Sequence, residues 1–305
     1  MGALAIACPG QGAQHSGMFD LPMQSEVAAL WLAKYSDALS LDIVDVAKNN
    51  RDLFSNRYAQ ILVCGASVSL WMALVDRIGI PELFMGYSVG ELAAYGCAGV
   101  WSAEQLADLV TKRAALMDAV TPPSAGLIAV KGPDLAVIND ICRKYALEVA
   151  IVNADDHVVL GGKQQNLAAA AARLNADGQW CKILDVAVPS HTSFMSAAVP
   201  LFHEAISNTA IRPPTAPLIV GITGCLAKPT EAADALSAQL ARPVRWHDCM
   251  KNAVEYGVSV VLELSPGKSL SRMFEEFDAA IESRAAEDFR TLDGIAEWVR
   301  AKTSL

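Results

Sequence analysis

The chain has 305 residues, 53% of them hydrophobic, and 24 Lys+Arg against 33 Asp+Glu give a formal net charge of −9. This is ample for one large domain, or a large and a small one, and too apolar for a disordered chain. It lacks the basic face that nucleic-acid binding requires, and no apolar run nears the ~18 residues of a membrane span.

Seven cysteines lie scattered at 8, 64, 97, 142, 181, 225 and 249, with no C-x-x-C pair. They read as buried thiols of a reducing compartment, neither a disulfide framework nor a metal site. An acidic chain of this kind suits a soluble cytoplasmic enzyme. The N-terminal MGALAIACPGQG has no positively charged stretch, so residues 3–8 read as a first buried strand rather than a signal peptide, ended by Pro9 and Gly10.

Apolar positions at helical spacing predict a core helix over 58–78, stopped by Gly79 and Pro81. A brief strand at 82–86 and a helix at 89–99 follow. Ser102 with Gln105 in the capping-box position starts another helix, which runs to about Ala119. From 126 the order becomes strand (126–131), helix (133–145), strands (147–153 and 157–161), helix (163–177) and strand (181–188). That β-α-β-β-α-β order is the order of a ferredoxin-like unit. We therefore expect a small inserted domain over 123–188, with 1–122 and 189–305 forming the large one. The large domain resumes with a helix at 192–208, a strand at 217–222, helices near 231–241 and 246–256, and a strand at 258–264. Alternating strands and helices imply an α/β fold of α/β-hydrolase-like type, its largely parallel sheet covered on both faces.

The strongest motif is Gly86-Tyr87-Ser88-Val89-Gly90, a G-x-S-x-G between a predicted strand and a predicted helix. A serine at such a sharp turn projects its hydroxyl outward. The Val89 amide, at a helix N-terminus, can donate to an oxyanion. The bland alternative is a glycine-rich turn with an ordinary serine. A serine needs a base, and five histidines are on offer. His157 falls in the small-domain hairpin and reads as surface, and His203 lies mid-helix. His191, in the loop that rejoins the large domain, leads on position, with His15 and His247 behind it. Pro9-Gly10-Gln11-Gly12 lacks the ending of a phosphate loop and the third glycine of a dinucleotide fingerprint. It can instead lend a backbone N–H to an oxyanion hole, or simply be a tight turn.

PGQGAQ at 9–14, GYSVGE at 86–91, Lys112-Arg113, PSHTSFM at 189–195, QLARPVRW at 239–246 and SPGKSL at 265–270 occur in the order seen in malonyl-CoA:acyl carrier protein transacylases. The chain resembles that family along essentially its whole length. Within it, the chain looks closest to the epsilon subunit of biotin-independent malonate decarboxylase, on GYSVGEL, IVNADDHVVLGG and PSHTSFM. The resemblance implies Ser88 as the acylated serine and His191 as its base. It implies the amides of Gln11 and Val89 as the oxyanion hole, and Arg113 as the partner of the malonyl carboxylate. Gln239 would orient the histidine through its main-chain carbonyl, in place of a triad acid. No bound cofactor or metal is implied. The donor would be malonyl-CoA. The acceptor would be the prosthetic-group thiol of an acyl carrier protein, or of the decarboxylase's own carrier subunit. Lys268 and Arg272 are candidates for carrier docking. One departure stands out: Tyr87 occupies a position where most relatives have histidine.

Three alternatives remain open at this stage: a malonyl transacylase of fatty-acid synthesis, a serine esterase or thioesterase, and a non-catalytic docking subunit. A hydrolase would want an acid between Ser88 and the histidine. The candidates Asp155, Asp156 and Asp185 all lie in the expected insertion.

Overall fold

In the computed structural model, which describes residues 2–49, 52–228 and 231–303, the apolar run ALAIAC forms β1 (Ala3–Cys8). Two further helices follow, α1 (Glu26–Leu39) and α2 (Ile43–Asn49). Next comes α3 (Asn56–Ile78), apolar on every side and buried accordingly. It is long and apolar enough to cross a membrane, but 83% of its most apolar window is buried inside the fold. The expectation that no such run exists is thereby corrected. Gln60, Ser67 and Ser69 interrupt the run without lowering its average much, and all three are buried.

The chain continues through β2 (Leu83–Gly86), α4 (Val89–Cys97) and α5 (Ala103–Val120). The start of α5 carries the full capping box: Gln105 N–H donates to Ser102 Oγ at 3.3 Å, and Ser102 N–H donates to Gln105 Oε1 at 2.9 Å. A second sheet is built from β3 (Ala125–Lys131), α6 (Leu135–Tyr145), β4 (Glu148–Ala154), β5 (His157–Lys163), α7 (Gln164–Ala176) and β6 (Trp180–Ile183). The remainder is a 3-10 turn (Ser193–Ala198), α8 (Val199–Ser207), α9 (Ala232–Ala238), α10 (Trp246–Glu255), β7 (Val258–Glu263), α11 (Ser269–Phe277), β8 (Glu282–Ala285) and α12 (Leu292–Lys302).

The first sheet has the order β2-β1-β7-β8 with every pairing parallel. Leu4, Ile6 and Cys8 of β1 join the core with α3, α4 and α5, whereas Ala5 and Ala7 face Trp246, Met250 and Phe274 of α10 and α11. Both faces of the sheet are therefore buried, which suits its unbroken apolar strands. The second sheet is antiparallel, in the order β4-β5-β3-β6, and one face packs on α6 and α7. Its other face joins the first sheet's core through Leu127, Ala129, Ile151 and Val159.

Three expected elements differ. The apolar 217–222 is not a strand. It makes only isolated bridges, Leu218 to Phe84 and Ile219 to Leu226. Pro217 O accepts from Phe84 N–H and Ile219 N–H donates to Phe84 O, but Pro217 has no N–H of its own and Val220 N–H turns to Cys225 O, so the pairing goes no further. The 192–208 helix is split, because Pro200 cannot donate within a continuing helix and instead sits in the first turn of α8. The last strand of the second sheet stops at Ile183, short of the expected 188.

Candidate active site

Parallel strands all end at the same edge, so the loops after β1 and β2 meet there. The glycines of Gly86-Tyr87-Ser88-Val89-Gly90 are set by close approach. A Cβ on Gly86 would lie 2.1 Å from Gly90 O, and one on Gly90 would lie 2.2 Å from Cys8 O. Ser88 takes φ 57°, ψ −119°, a strained backbone for a residue with a side chain. The strain holds its hydroxyl out of the sheet at the N-terminus of α4. The amides of Gly90 and Glu91 are bonded within the turn, to Tyr87 O and Ser88 O, leaving that of Val89 at the open end of the helix. The Pro9–Gly12 loop crosses beside the turn, where Gly10 packs against the Tyr87 ring. That brings Gln11 next to the serine's turn.

Ser88 Oγ lies 2.7 Å from His191 Nε2, and His191 Nδ1 lies 2.6 Å from the carbonyl oxygen of Gln239. A carbonyl can only accept, so Nδ1 carries the proton and Nε2 is free to accept from the serine. His191 is fully buried at φ 64°, held by its own N–H donating to Leu240 O at 2.7 Å. Burial first, and the Arg113 charge second, push the imidazole pKa down to about 3, against the opposing effect of the Gln239 hydrogen bond. The ring is neutral at physiological pH.

Arg113 is 3% exposed, although its neighbour Lys112 points outward to Asp108 at 2.7 Å. Among the described residues no carboxylate forms an ion pair with the guanidinium. Its two terminal nitrogens donate to neutral amides, NH1 to Gln60 Oε1 at 2.7 Å and NH2 to Gln239 Oε1 at 3.1 Å. Each terminal nitrogen retains one further N–H for an anionic ligand. Burial lowers the guanidinium pKa to about 10, so it stays charged at neutral pH.

The other histidines are elsewhere. His15 pairs with Glu287 at 2.8 Å, His203 with Asp234 at 3.0 Å, and His247 stacks edge-on against Phe277. His157, expected on the surface, is half-buried and lines a cavity beside the Ser88 turn, over which the β4–β5 hairpin folds. Asp155, Asp156 and Asp185 are exposed, and the place of a triad acid is taken by Gln239 O. That cavity, of about 360 Å³, is lined by Gly10, Gln11, Tyr87, Asn153, His157 and Lys182 among others, and it adjoins the turn through Tyr87 rather than through Ser88 or His191. A larger cleft of about 790 Å³ lies between 52–57 and 183–188, and neither Ser88 nor His191 lines it. Lys268 is tied to Asp288 at 2.6 Å, so of the two docking candidates only Arg272, exposed on α11, presents an uncompensated charge.

A match to the acyl transferase domain spans residues 6–293. The chain belongs to the acyl transferase family. It is 31% identical over 303 residues to the malonyl CoA-acyl carrier protein transacylase of Mycobacterium bovis, covering 96% of this chain and 99% of the relative. To that of Haemophilus influenzae it is 28% identical over 312 residues, covering 98% and 100%. Among solved structures, the FabD of Acinetobacter baumannii matches with a TM-score of 0.92 at 27% identity, over 99% of each chain. A malonyl-transacylase solved in complex with its type II PKS acyl-carrier protein matches at 0.91 and 27%, over 97% of this chain and 99% of that one.

Three polar residues of this acyl transferase escaped the sequence reading. Gln60 and Glu91 are fully buried, and Asn153 nearly so. The signal for the first two was present: each is a lone polar group in an otherwise apolar helical stretch, AQILV and VGELAA. Asn153 accepts from the Tyr87 hydroxyl at 3.1 Å and gave no such signal.

Proposed function

We propose that this acyltransferase moves a malonyl group from CoA to the thiol of an acyl carrier protein through an ester on Ser88. The observation that carries the reading is a buried arginine with no carboxylate partner among the described residues, joined through one residue, Gln239, to the base of a serine nucleophile. A buried guanidinium left unneutralised is costly unless a ligand supplies the anion. The free carboxylate of a malonyl thioester is such an anion.

In the proposed reaction His191 Nε2 takes the Ser88 proton as Oγ bonds to the thioester carbonyl carbon. The oxyanion is stabilised by the amides of Gln11 and Val89. The carbon–sulfur bond breaks, the leaving thiol takes the proton from His191, and malonyl-Ser88 remains. The carrier thiol then repeats the steps in reverse order of proton transfer, giving ping-pong kinetics. The test is intact-protein mass spectrometry after incubation with malonyl-CoA. One malonyl adduct, mapped to the Ser88 peptide and removed by holo-carrier protein, supports the reading. An adduct that simply hydrolyses in water would favour a thioesterase instead.

The relatives named above are malonyl transacylases of acyl carrier proteins, which favours a transacylase of the fatty-acid-synthesis kind over the decarboxylase epsilon subunit. Transfer to holo-acyl carrier protein, compared with transfer to a carrier bearing a dephospho-CoA derivative, separates the two. Carrier docking is assigned to the α11 face around Arg272. Arg272→Glu should slow transfer to the carrier and leave self-acylation untouched; equal loss in both half-reactions would remove the assignment. Residues 123–188 are read as the inserted ferredoxin-like unit.

A further inference from the structure

Gln239 is the residue that touches both halves of the proposed chemistry. Its carbonyl receives His191 Nδ1 at 2.6 Å, and its side-chain Oε1 receives Arg113 at 3.1 Å. A primary amide has nearly the same shape in both orientations but opposite bonding sense at its two ends. Flipped, it would set its NH₂ against a guanidinium, which has no acceptor. The group that prevents the flip is Glu91, whose Oε2 accepts from Gln239 Nε2 at 2.5 Å. A donor-only guanidinium on one side and a carboxylate on the other admit a single orientation.

A second observation concerns Gly221. Its N–H donates to the same Glu91 Oε2 at 3.0 Å. A Cβ at this position would lie 2.6 Å from that oxygen and 3.5 Å from Gln239 Nε2. The backbone of Gly221 is outside the left-handed region, so its dihedral angles do not demand glycine. What glycine provides is room for the carboxylate. Glu91 is itself fully buried, and its Oε1 has no hydrogen-bond partner. Burying a carboxyl this poorly satisfied is unfavourable. It would be a wasteful way merely to pin a loop.

We propose that Glu91 is a positioning residue: through the side chain of Gln239 it sets both the guanidinium that receives the acyl carboxylate and the carbonyl that orients His191. The proposal rests on the malonyl-transfer reading above. The intervening amide also matters. It passes orientation to Arg113 without letting the carboxylate contact and neutralise it. Burial raises the Glu91 pKa to about 7, partly offset by Gly221, Gln239 and Arg113, so the carboxyl is about half ionised near pH 7.

Three variants separate positioning from a mere structural clip. Glu91→Ala removes the acceptor. Gly221→Ala keeps the carboxyl but displaces it from Gln239. Glu91→Gln keeps one acceptor oxygen for both donors and puts its NH₂ where Oε1 stands unpartnered. The measurement is kcat and KM for self-acylation by malonyl-CoA and by acetyl-CoA, with Tm alongside. Glu91→Ala and Gly221→Ala should each lower the malonyl-to-acetyl ratio of kcat/KM by roughly five- to hundredfold, the range for one buried partner lost. Glu91→Gln should recover most of that ratio. A clip on the 217–222 loop would lower Tm in all three and leave the ratio unmoved, which overturns the proposal. A ratio that falls in Glu91→Ala but is not restored by Glu91→Gln also overturns it. Wild-type protein that takes no malonyl group at all would sink the preceding reading rather than this one.

Discussion

The parallel sheet β2-β1-β7-β8 and the antiparallel sheet β4-β5-β3-β6 have the same number of strands, yet they contribute very differently to the site. The turns after β1 and β2 leave one edge together and deliver the Gln11 loop and Ser88 side by side. Helices packed on that sheet supply Gln60, Arg113 and Glu91. In an antiparallel sheet neighbouring strands end at opposite edges. The second sheet instead lends Ala129, Asn153, His157, Val159 and Lys182 to the lining of the cavity beside the Ser88 turn. The first sheet therefore carries the proposed chemistry, and the second forms a wall.

The largest expected effect falls at the strained turn of the first sheet. Ser88→Ala should abolish covalent labelling by malonyl-CoA while Tm changes little, since relief of the strained Ser88 turn is set against the one hydrogen bond lost to His191. A variant that still gains a malonyl mass would take Ser88 out of the reaction. His191→Ala should slow acylation by ~10²–10⁴, as expected for a lost general base. Normal turnover in that variant would end the Ser88–His191 assignment.

The histidine also has a pH signature. Its pKa in the folded chain, about 3, lies below the ordinary 6.5. The neutral base therefore persists down to about pH 3. The matching stability is fully present above pH 6.5 and is lost as pH falls from 6.5 towards 3. The imidazole NMR resonance that disappears in His191→Ala should not titrate between pH 5 and 8. A midpoint near 6.5 would show an exposed ring and contradict the buried geometry.

Arg113→Ala tests whether selectivity comes from the helices on the first sheet. A malonyl carboxylate would then enter a partly dry site with no counter-charge, a loss of about 3–5 kcal/mol, or roughly two to four orders of magnitude in kcat/KM. Acetyl transfer should fall far less. Arg113→Lys should recover only part of the malonyl activity, because an ammonium lacks the guanidinium's planar set of donors. An unchanged malonyl-to-acetyl ratio would reduce Arg113 to a structural charge.

What was legible in the sequence follows the same division. Ser88 could be found because its turn needs glycines at fixed offsets, and close backbone approach leaves that mark in any sequence. Arg113 could not be told from Lys112 by local pattern, since one faces the core and the other the solvent one step round the same helix. Only the ordered set of family motifs singled it out. The 217–222 run misled because burial alone makes a segment apolar, whether or not it pairs in a ladder. His157 misled because the fold of a hairpin over a cavity depends on contacts distant in the chain, Tyr87 with Asn153 among them. Glu91 was quoted within GYSVGE, but its partners Gln239 and Gly221 lie more than a hundred residues away.

The smallest effect should come from the one side-chain hydrogen bond that joins the Ser88 turn to the second sheet. Tyr87 OH donates to Asn153 Oδ1 at 3.1 Å, and its ring packs edge-on against Trp246 with centroids 5.4 Å apart. Burial pushes the phenol pKa up, so the hydroxyl remains a donor throughout the working range. Tyr87→Phe keeps the ring and its packing and removes a single neutral hydrogen bond, a net change of about 1 kcal/mol. Tm should drop by a few degrees, and self-acylation by malonyl-CoA should stay within about threefold, since no reacting atom loses a partner. Asn153→Ala should behave similarly if the wall only excludes water. A loss of tenfold or more in Tyr87→Phe, with Tm unchanged, would mean that the hydroxyl reaches the bound acyl group. The second sheet would then have to be counted as part of the chemistry.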